Sequence, residues 1–298
     1  MRWLPRALGA LILLALLAGL ALYGLSEWRL AKRYDAPRDE VRIPDDEAAV
    51  DRGAYLASTV SVCVDCHGPD LGGQVVVDDP GLGRIVAPNL TTGEGGLGSD
   101  RSDEELVRAI RYGVGPDDKA LMVMPSDDYH HLTDEDLGAL VAYLRSLPPV
   151  DQTLPAKTLR PFGRLLLALG QLDVFPAARI DMGLRPPAEL QPEVSKDYGL
   201  YLANIAGCTG CHGPGLSGGT IPGAPPDFPP AANLTPSGEL GAWDFADFRD
   251  TLRTGKTPKG RALSEQMPWK SYAKMSDQEL RAIWLFVSSV PAKDAGKR

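Results

Sequence analysis

Residues 7–25 form an unbroken apolar run of nineteen positions. Arg2 and Arg6 precede it, and Glu27, Arg29, Lys32 and Arg33 follow. A helix of that length crosses a hydrocarbon core of about 30 Å. The run exceeds the apolar core of about 7–15 residues usual in a cleaved signal. It therefore predicts an N-terminal membrane anchor over 1–30, with a signal segment cleaved near Gly19-Leu20-Ala21 as the alternative. Farther along, apolar residues recur every three or four positions behind polar starts, the pattern of half-buried helices. Ser102 and Glu105 form a capping-box pair ahead of a helix ending near Tyr112. Thr133 opens another, with Leu137, Leu140, Val141 and Leu144 as its stripe and Pro148-Pro149 as its stop. Ser276 and Glu279 repeat the device ahead of Leu280, Ile283, Trp284 and Val287. Residues 47–62 and 196–205 also read as helices, and only Gln74–Val77 hints at a strand. The expected fold class is mainly α.

The same landmarks occur twice, offset by about 145 residues. Gly53-Ala54-Tyr55-Leu56 and Cys63-Val64-Asp65-Cys66-His67-Gly68-Pro69 match Gly199-Leu200-Tyr201-Leu202 and Cys208-Thr209-Gly210-Cys211-His212-Gly213-Pro214. Asn89-Leu90-Thr91 matches Asn233-Leu234-Thr235, and Met124-Pro125 matches Met267-Pro268. A period this long means duplicated domains, because short solenoid repeats run about 20–50 residues. The expected organisation is anchor 1–30, linker 31–47, domain 48–150, Pro-rich connector 151–194, domain 195–291 and tail 292–298. The connector holds six prolines and the apolar run Leu165–Leu169, too short to span a membrane. With Phe162, Leu172, Val174 and Phe175 it is expected to pack between the domains, a second membrane contact being the alternative.

Cys-x-x-Cys-His is the attachment signature of c-type heme. A zinc site shared between the two Cys-x-x-Cys pairs is the competing reading, but zinc does not require the His-Gly-Pro that follows each pair. Cys63, Cys66, Cys208 and Cys211 are thus candidate thioether residues, and His67 and His212 candidate iron ligands. Met124 and Met267 occupy equivalent places and are the candidate sixth ligands; a thioether raises the potential of the iron. Met122 and Met275 are local rivals, Met275 reading as core because Leu132 is its counterpart, and Met182 has no counterpart. His130 and His131 read as polar surface residues, with Ala273 and Lys274 opposite them in the second copy; ligation of the first iron or a redox-linked proton site is the alternative.

On these motifs the chain resembles a diheme class I cytochrome c: an N-terminal transmembrane helix followed by two tandem cytochrome c domains. It is also similar to the membrane-anchored cytochrome c subunits of bacterial periplasmic dehydrogenases. The resemblance implies two covalent heme c groups, attachment outside the cytoplasm and an inner-membrane location with the heme domains in the periplasm. It implies redox partners: a periplasmic dehydrogenase or respiratory complex on one side, a terminal oxidase or small cytochrome on the other. It further implies that Gly53 and Gly199 let the first helix of each domain cross the last one closely. Tyr55, Tyr129, Tyr201, Tyr272 and Trp269 are candidates for the heme wall or for core. Two six-coordinate irons would leave no position for a substrate and favour an electron relay; a diheme enzyme with one open heme, peroxidase-like, is the alternative.

The charge balance of -8 removes the basic footprint of a nucleic-acid binder. The acids are concentrated in residues 48–150, which carry 17 acids against 7 bases. Asp117-Asp118 and Asp127-Asp128 flank Met124 and suggest an acidic face for docking a basic partner.

Overall fold

In a computed structural model that describes residues 3–222, 224 and 228–297, the chain is mainly helical; Arg2 lies outside the described residues. Helix α1 (Leu4–Ala31) is the one helix there long and apolar enough to cross a membrane. The extended segment after it is docked rather than loose. Tyr34 N donates to Asp118 O, Ala36 is buried beside Tyr112 and Val114, and Asp39 binds Arg111 and the Tyr112 hydroxyl.

The first half contains α2 (Glu47–Tyr55), a π-helical turn (Leu56–Val60), α3 (Cys63–His67), strands β1 (Gln74–Asp79) and β2 (Gly83–Ala87), α4 (Asp103–Tyr112), α5 (Ser126–Tyr129) and α6 (Asp134–Ser146). The connector adds β3 (Thr158–Leu159) and α7 (Pro161–Ala168). The second half contains α8 (Lys196–Ile205), α9 (Cys208–His212), α10 (Phe245–Thr254), α11 (Trp269–Tyr272) and α12 (Asp277–Val287). The expected caps are present: Ser102 with Glu105 and Ser276 with Glu279 close both halves of a capping box, and the Thr133 hydroxyl accepts from Asp136 N.

In each half the first helix crosses the last at a glycine. A Cβ on Gly53 would overlap the Ala139 carbonyl, and one on Gly199 the Ala282 carbonyl. Backbones that close leave room only for hydrogen. A single apolar core runs through both halves, with Leu56, Leu137 and Leu140 contributed by one and Leu202, Leu280 and Ile283 by the other.

Two expectations are corrected and one, the strand, is extended. The helix expected over 47–62 is α-helical only to Tyr55, then widens: Ser61 N donates to Leu56 O, a five-residue step. The strand hint at Gln74–Val77 is one arm of a hairpin, β1 pairing antiparallel with β2, and β2 with β3. The connector run does not lie between the domains; α7 packs on α1.

The halves meet in a reciprocal set of side chains. Tyr55 donates to Glu279 at 2.5 Å, and its counterpart Tyr201 donates to Asp136, the counterpart of Glu279, also at 2.5 Å. Arg52 lies between them, donating from Nε and Nη2 to Asp136 at 2.8 Å, with Nη1 3.8 Å from Glu279.

Candidate heme sites

Each Cys-x-x-Cys-His motif is a short helix entered through a left-handed residue, Val62 (φ 44°) in one half and Gly207 (φ 68°) in the other. Each ends at a glycine with φ 81°, Gly68 and Gly213. No β-branched residue takes such a φ without strain, so Val62 is held by its neighbours where Gly207 is unstrained. None of the four cysteines is in a disulfide. No group of three or more His, Cys, Asp or Glu able to hold a metal occurs among the described residues, so the two pairs are not assembled into a shared zinc site. Burial pushes the Cys63 and Cys208 thiols up to about 12.

The histidines are oriented identically. His67 Nδ1 is 2.9 Å from Pro88 O, and His212 Nδ1 is 2.7 Å from Ala232 O. A carbonyl only accepts, so Nδ1 carries the proton and Nε2 presents its lone pair, the tautomer a metal-binding imidazole needs. Burial lowers the pKa of His67 and favours that neutral form.

The carbonyls are fixed in turn by Asn-Leu-Thr. Asn89 Oδ1 accepts from Thr91 N and from its hydroxyl, while Asn89 Nδ2 donates to Val150 O. Asn233 does the same work, accepting from Thr235 N and donating to Lys293 O. Asn89 and Thr91 are fully buried. The motif was visible in the sequence as a repeated landmark; its task of aiming the histidine needed the structure.

Met124 and Met267 sit just before α5 and α11, half-buried against the core that also receives Cys63 and Cys208. Five residues after each methionine, a tyrosine ties its loop to the cysteine loop: Tyr129 OH donates to Ser61 O at 2.7 Å, and Tyr272 OH to Ala206 O at 2.6 Å. Both acceptors stand two residues before the first cysteine. Of the five aromatic candidates, Tyr55 and Tyr201 belong to the inter-domain set, Tyr129 and Tyr272 join loops, and Trp269 packs on Gly255. Met275 is core, Met182 packs in the small cluster around Ala36, and Met122 is half-buried. His130 is not a surface residue: it is buried, its ring 5.5 Å from Tyr112.

The acids around Met124 are engaged within the chain. Asp117 pairs with Lys119, Asp118 with Arg108, and Asp127 with Arg179. Asp128 faces the other half, where a side chain at Gly207 or Gly210 would meet its carboxylate and the Thr209 hydroxyl donates to it. The charge of the acidic face expected from these four residues is thus partly neutralised within the chain, while Asp117 stays exposed and Asp118 partly so.

Burial and the neighbouring Asp127 push Asp128 up to about 7, against the pull of Arg179 and Thr209. A carboxyl that binds its proton more tightly folded than unfolded makes stability fall as pH rises from about 4 to about 7. Asp128→Asn is expected to remove that slope. Urea unfolding at pH 5 and pH 8 checks it: the wild type should lose more stability over that interval than the variant.

These donor sets fit thioether-held, histidine-ligated heme in both halves. The cytochrome c family signature matches residues 50–148 and 198–291. The chain is 32% identical over 268 residues to the fructose dehydrogenase cytochrome subunit of Gluconobacter japonicus, covering 82% of this chain and 53% of that one. It is 30% identical over 283 residues to the gluconate 2-dehydrogenase cytochrome c subunit of Pantoea cypripedii, covering 85% and 62%. It is 28% identical over 256 residues to a diheme cytochrome c-type protein of Cereibacter sphaeroides, covering 77% and 82%. The chain spans about half to three-fifths of the length of the fructose, alcohol and gluconate dehydrogenase cytochrome subunits it matches. A signature met once in each half, over donor sets oriented alike, makes this chain a member of the cytochrome c family, with heme c as its cofactor.

Proposed function

We propose that the chain is a membrane-anchored, periplasmic diheme cytochrome c that relays single electrons from a dehydrogenase or quinol-oxidising complex to a downstream acceptor, a terminal oxidase or small cytochrome. Heme c, when bound, supplies one-electron exchange at iron. Cys63 and Cys66 would hold one group and Cys208 and Cys211 the other; His67 with Met124, and His212 with Met267, would supply the ligands to the two irons. The observation that carries the reading is the duplicated histidine orientation, Nδ1 on Pro88 O and on Ala232 O.

The protein's own contribution is geometric. Asn89 and Asn233 hold the carbonyls that aim the histidines; Tyr129 and Tyr272 keep each methionine loop against its cysteine loop. The halves are packed so that α5 lies on α8 and α11 on the π-turn, which brings the loops around the two motifs to one interface. That supports passage of an electron between the sites inside one chain. The dehydrogenase subunits among its relatives support a dehydrogenase as the donor.

The test is heme stoichiometry and the optical spectrum of the purified oxidised protein. Two hemes per chain with a far-red iron–methionine band are expected, and Met124→Ala or Met267→Ala should each remove about half of that band and lower one potential. A high-spin heme in the wild type, binding carbon monoxide readily, would overturn the relay in favour of an enzyme with an open iron.

A further inference from the structure

The connector helix α7 is amphipathic, and part of its apolar surface is uncovered. Gly163, Leu167 and Ala168 are buried, whereas Phe162 and Leu169 are 53% and 55% exposed. Its position on α1 is specific. Arg164 ion-pairs with Glu27 at 2.5 Å, donates to the Ser26 hydroxyl at 3.1 Å and stacks 4.7 Å over the Tyr23 ring. The Arg29 guanidinium lies beside Gly170 at the far end.

These contacts fix the level of α7 along α1. The 28 residues of α1 make a helix of about 42 Å, longer than a hydrocarbon core of about 30 Å. Its apolar run ends at Leu25, and residues Leu4–Ala21 are exposed throughout. Contacts at Tyr23, Ser26, Glu27 and Arg29 therefore place α7 where the apolar run gives way to charge. Tyr23 and Trp28 are exposed there, 53% and 65%, as aromatic residues are at a membrane–water boundary. Arg160 and Arg164 belong to this segment, Arg29 to α1, and Lys32 and Arg33 follow its end; Arg164 is paired with Glu27, and residues 161–172 include no acid.

We propose that α7 lies in the membrane surface, with Phe162 and Leu169 in the headgroup–acyl boundary and Arg160, Arg29 and Lys32 toward anionic headgroups. The inference rests on reading α1 as a membrane span. It gives the heme domains a second attachment: Gly81 and Leu82, at the turn of the β1–β2 hairpin, pack directly on α7. The first domain is thereby held at a fixed attitude to the bilayer.

Spin labels decide it. Labels are placed one at a time by Phe162→Cys, Leu169→Cys, Leu16→Cys and Leu200→Cys in the full heme-loaded, reduced protein, in nanodiscs containing phosphatidylglycerol. Collision with oxygen and with a water-soluble nickel chelate is then read for each. A severalfold higher oxygen-to-nickel ratio at 162 and 169 than at 200, below that at 16, is the expected result. Labels at 162 and 169 that match 200 while 16 stays oxygen-rich overturn the seat of α7 and leave the anchor standing. Labels at 162 and 169 shielded from both reagents overturn it in favour of a protein partner. A nickel-accessible label at 16 removes the anchor itself, and with it this inference.

Discussion

Arg52→Leu is expected to destabilise the protein by about 3 kcal/mol, because it leaves two largely buried carboxylates facing each other without a cation. Asp136 and Glu279 are each 7% exposed, and they come from opposite halves of the molecule. Arg52 donates two hydrogen bonds to Asp136 and neutralises Glu279 across 3.8 Å. The remaining donors are the Tyr201 hydroxyl, to Asp136, and the Tyr55 hydroxyl with Ser276 N and its hydroxyl, to Glu279; they supply hydrogen bonds but no charge. Breaking a buried pair by removing one partner costs about 3–5 kcal/mol; the side chain of Arg52 is 30% exposed, so the lower end applies. Arg52→Lys should fall between, since an ammonium cannot fork onto one carboxylate and reach the second. Urea midpoints at unchanged slope measure the effect. A loss below about 0.5 kcal/mol, the range of an ordinary surface substitution, would show that the cation is not needed.

Gly199→Ala is expected to cost about 2 kcal/mol net. The new methyl would overlap the Ala282 carbonyl and crowd Phe286 Cβ, both on α12, and backbone cannot swing aside as a side-chain tip can. Overpacking of this kind costs about 3 kcal/mol, offset by about 1 kcal/mol from the better helix propensity of alanine. Gly53→Ala should behave alike, because its methyl would meet the Ala139 carbonyl and Tyr143 Cβ. Gly24→Ala is the control, having nothing within 4 Å of the added carbon. Thermal unfolding followed by circular dichroism should separate the first two from the third; equal midpoints for all three would contradict the close crossing.

Helix beginnings were legible because caps are local chemistry: Ser102, Thr133 and Ser276 each accept a bond from a backbone N–H three residues on. The candidate cysteines, histidines and methionines stood out because the duplication displayed each twice. The π-turn was not, though its cause lies in the numbering. Cys63 follows Tyr55 by eight positions, whereas Cys208 follows Tyr201 by seven. The turn over Leu56–Val60 absorbs the extra residue and brings Cys63 back into step, aided by Ser58 Oγ donating to Ala54 O. The hairpin escaped because β2 opens on Gly83 and carries only three apolar residues in five. The seat of α7 escaped because an apolar stripe does not say which surface it will meet. Tyr55 and Tyr201 could not be assigned because their partners lie more than 60 residues away.

The reciprocal tyrosine–carboxylate bonds have a bearing on descent. Tyrosine of one half meets the acid of the other, and the reverse, as surfaces do in a two-fold symmetric dimer. Two separate copies of a single ancestral domain could have made the same pair of bonds before a gene duplication joined them in one chain. Arg52 breaks that symmetry, because Tyr198 stands at the matching place in the second half. With one cation serving both acids, neither half is interchangeable with the other, and selection could then act on the two sites separately.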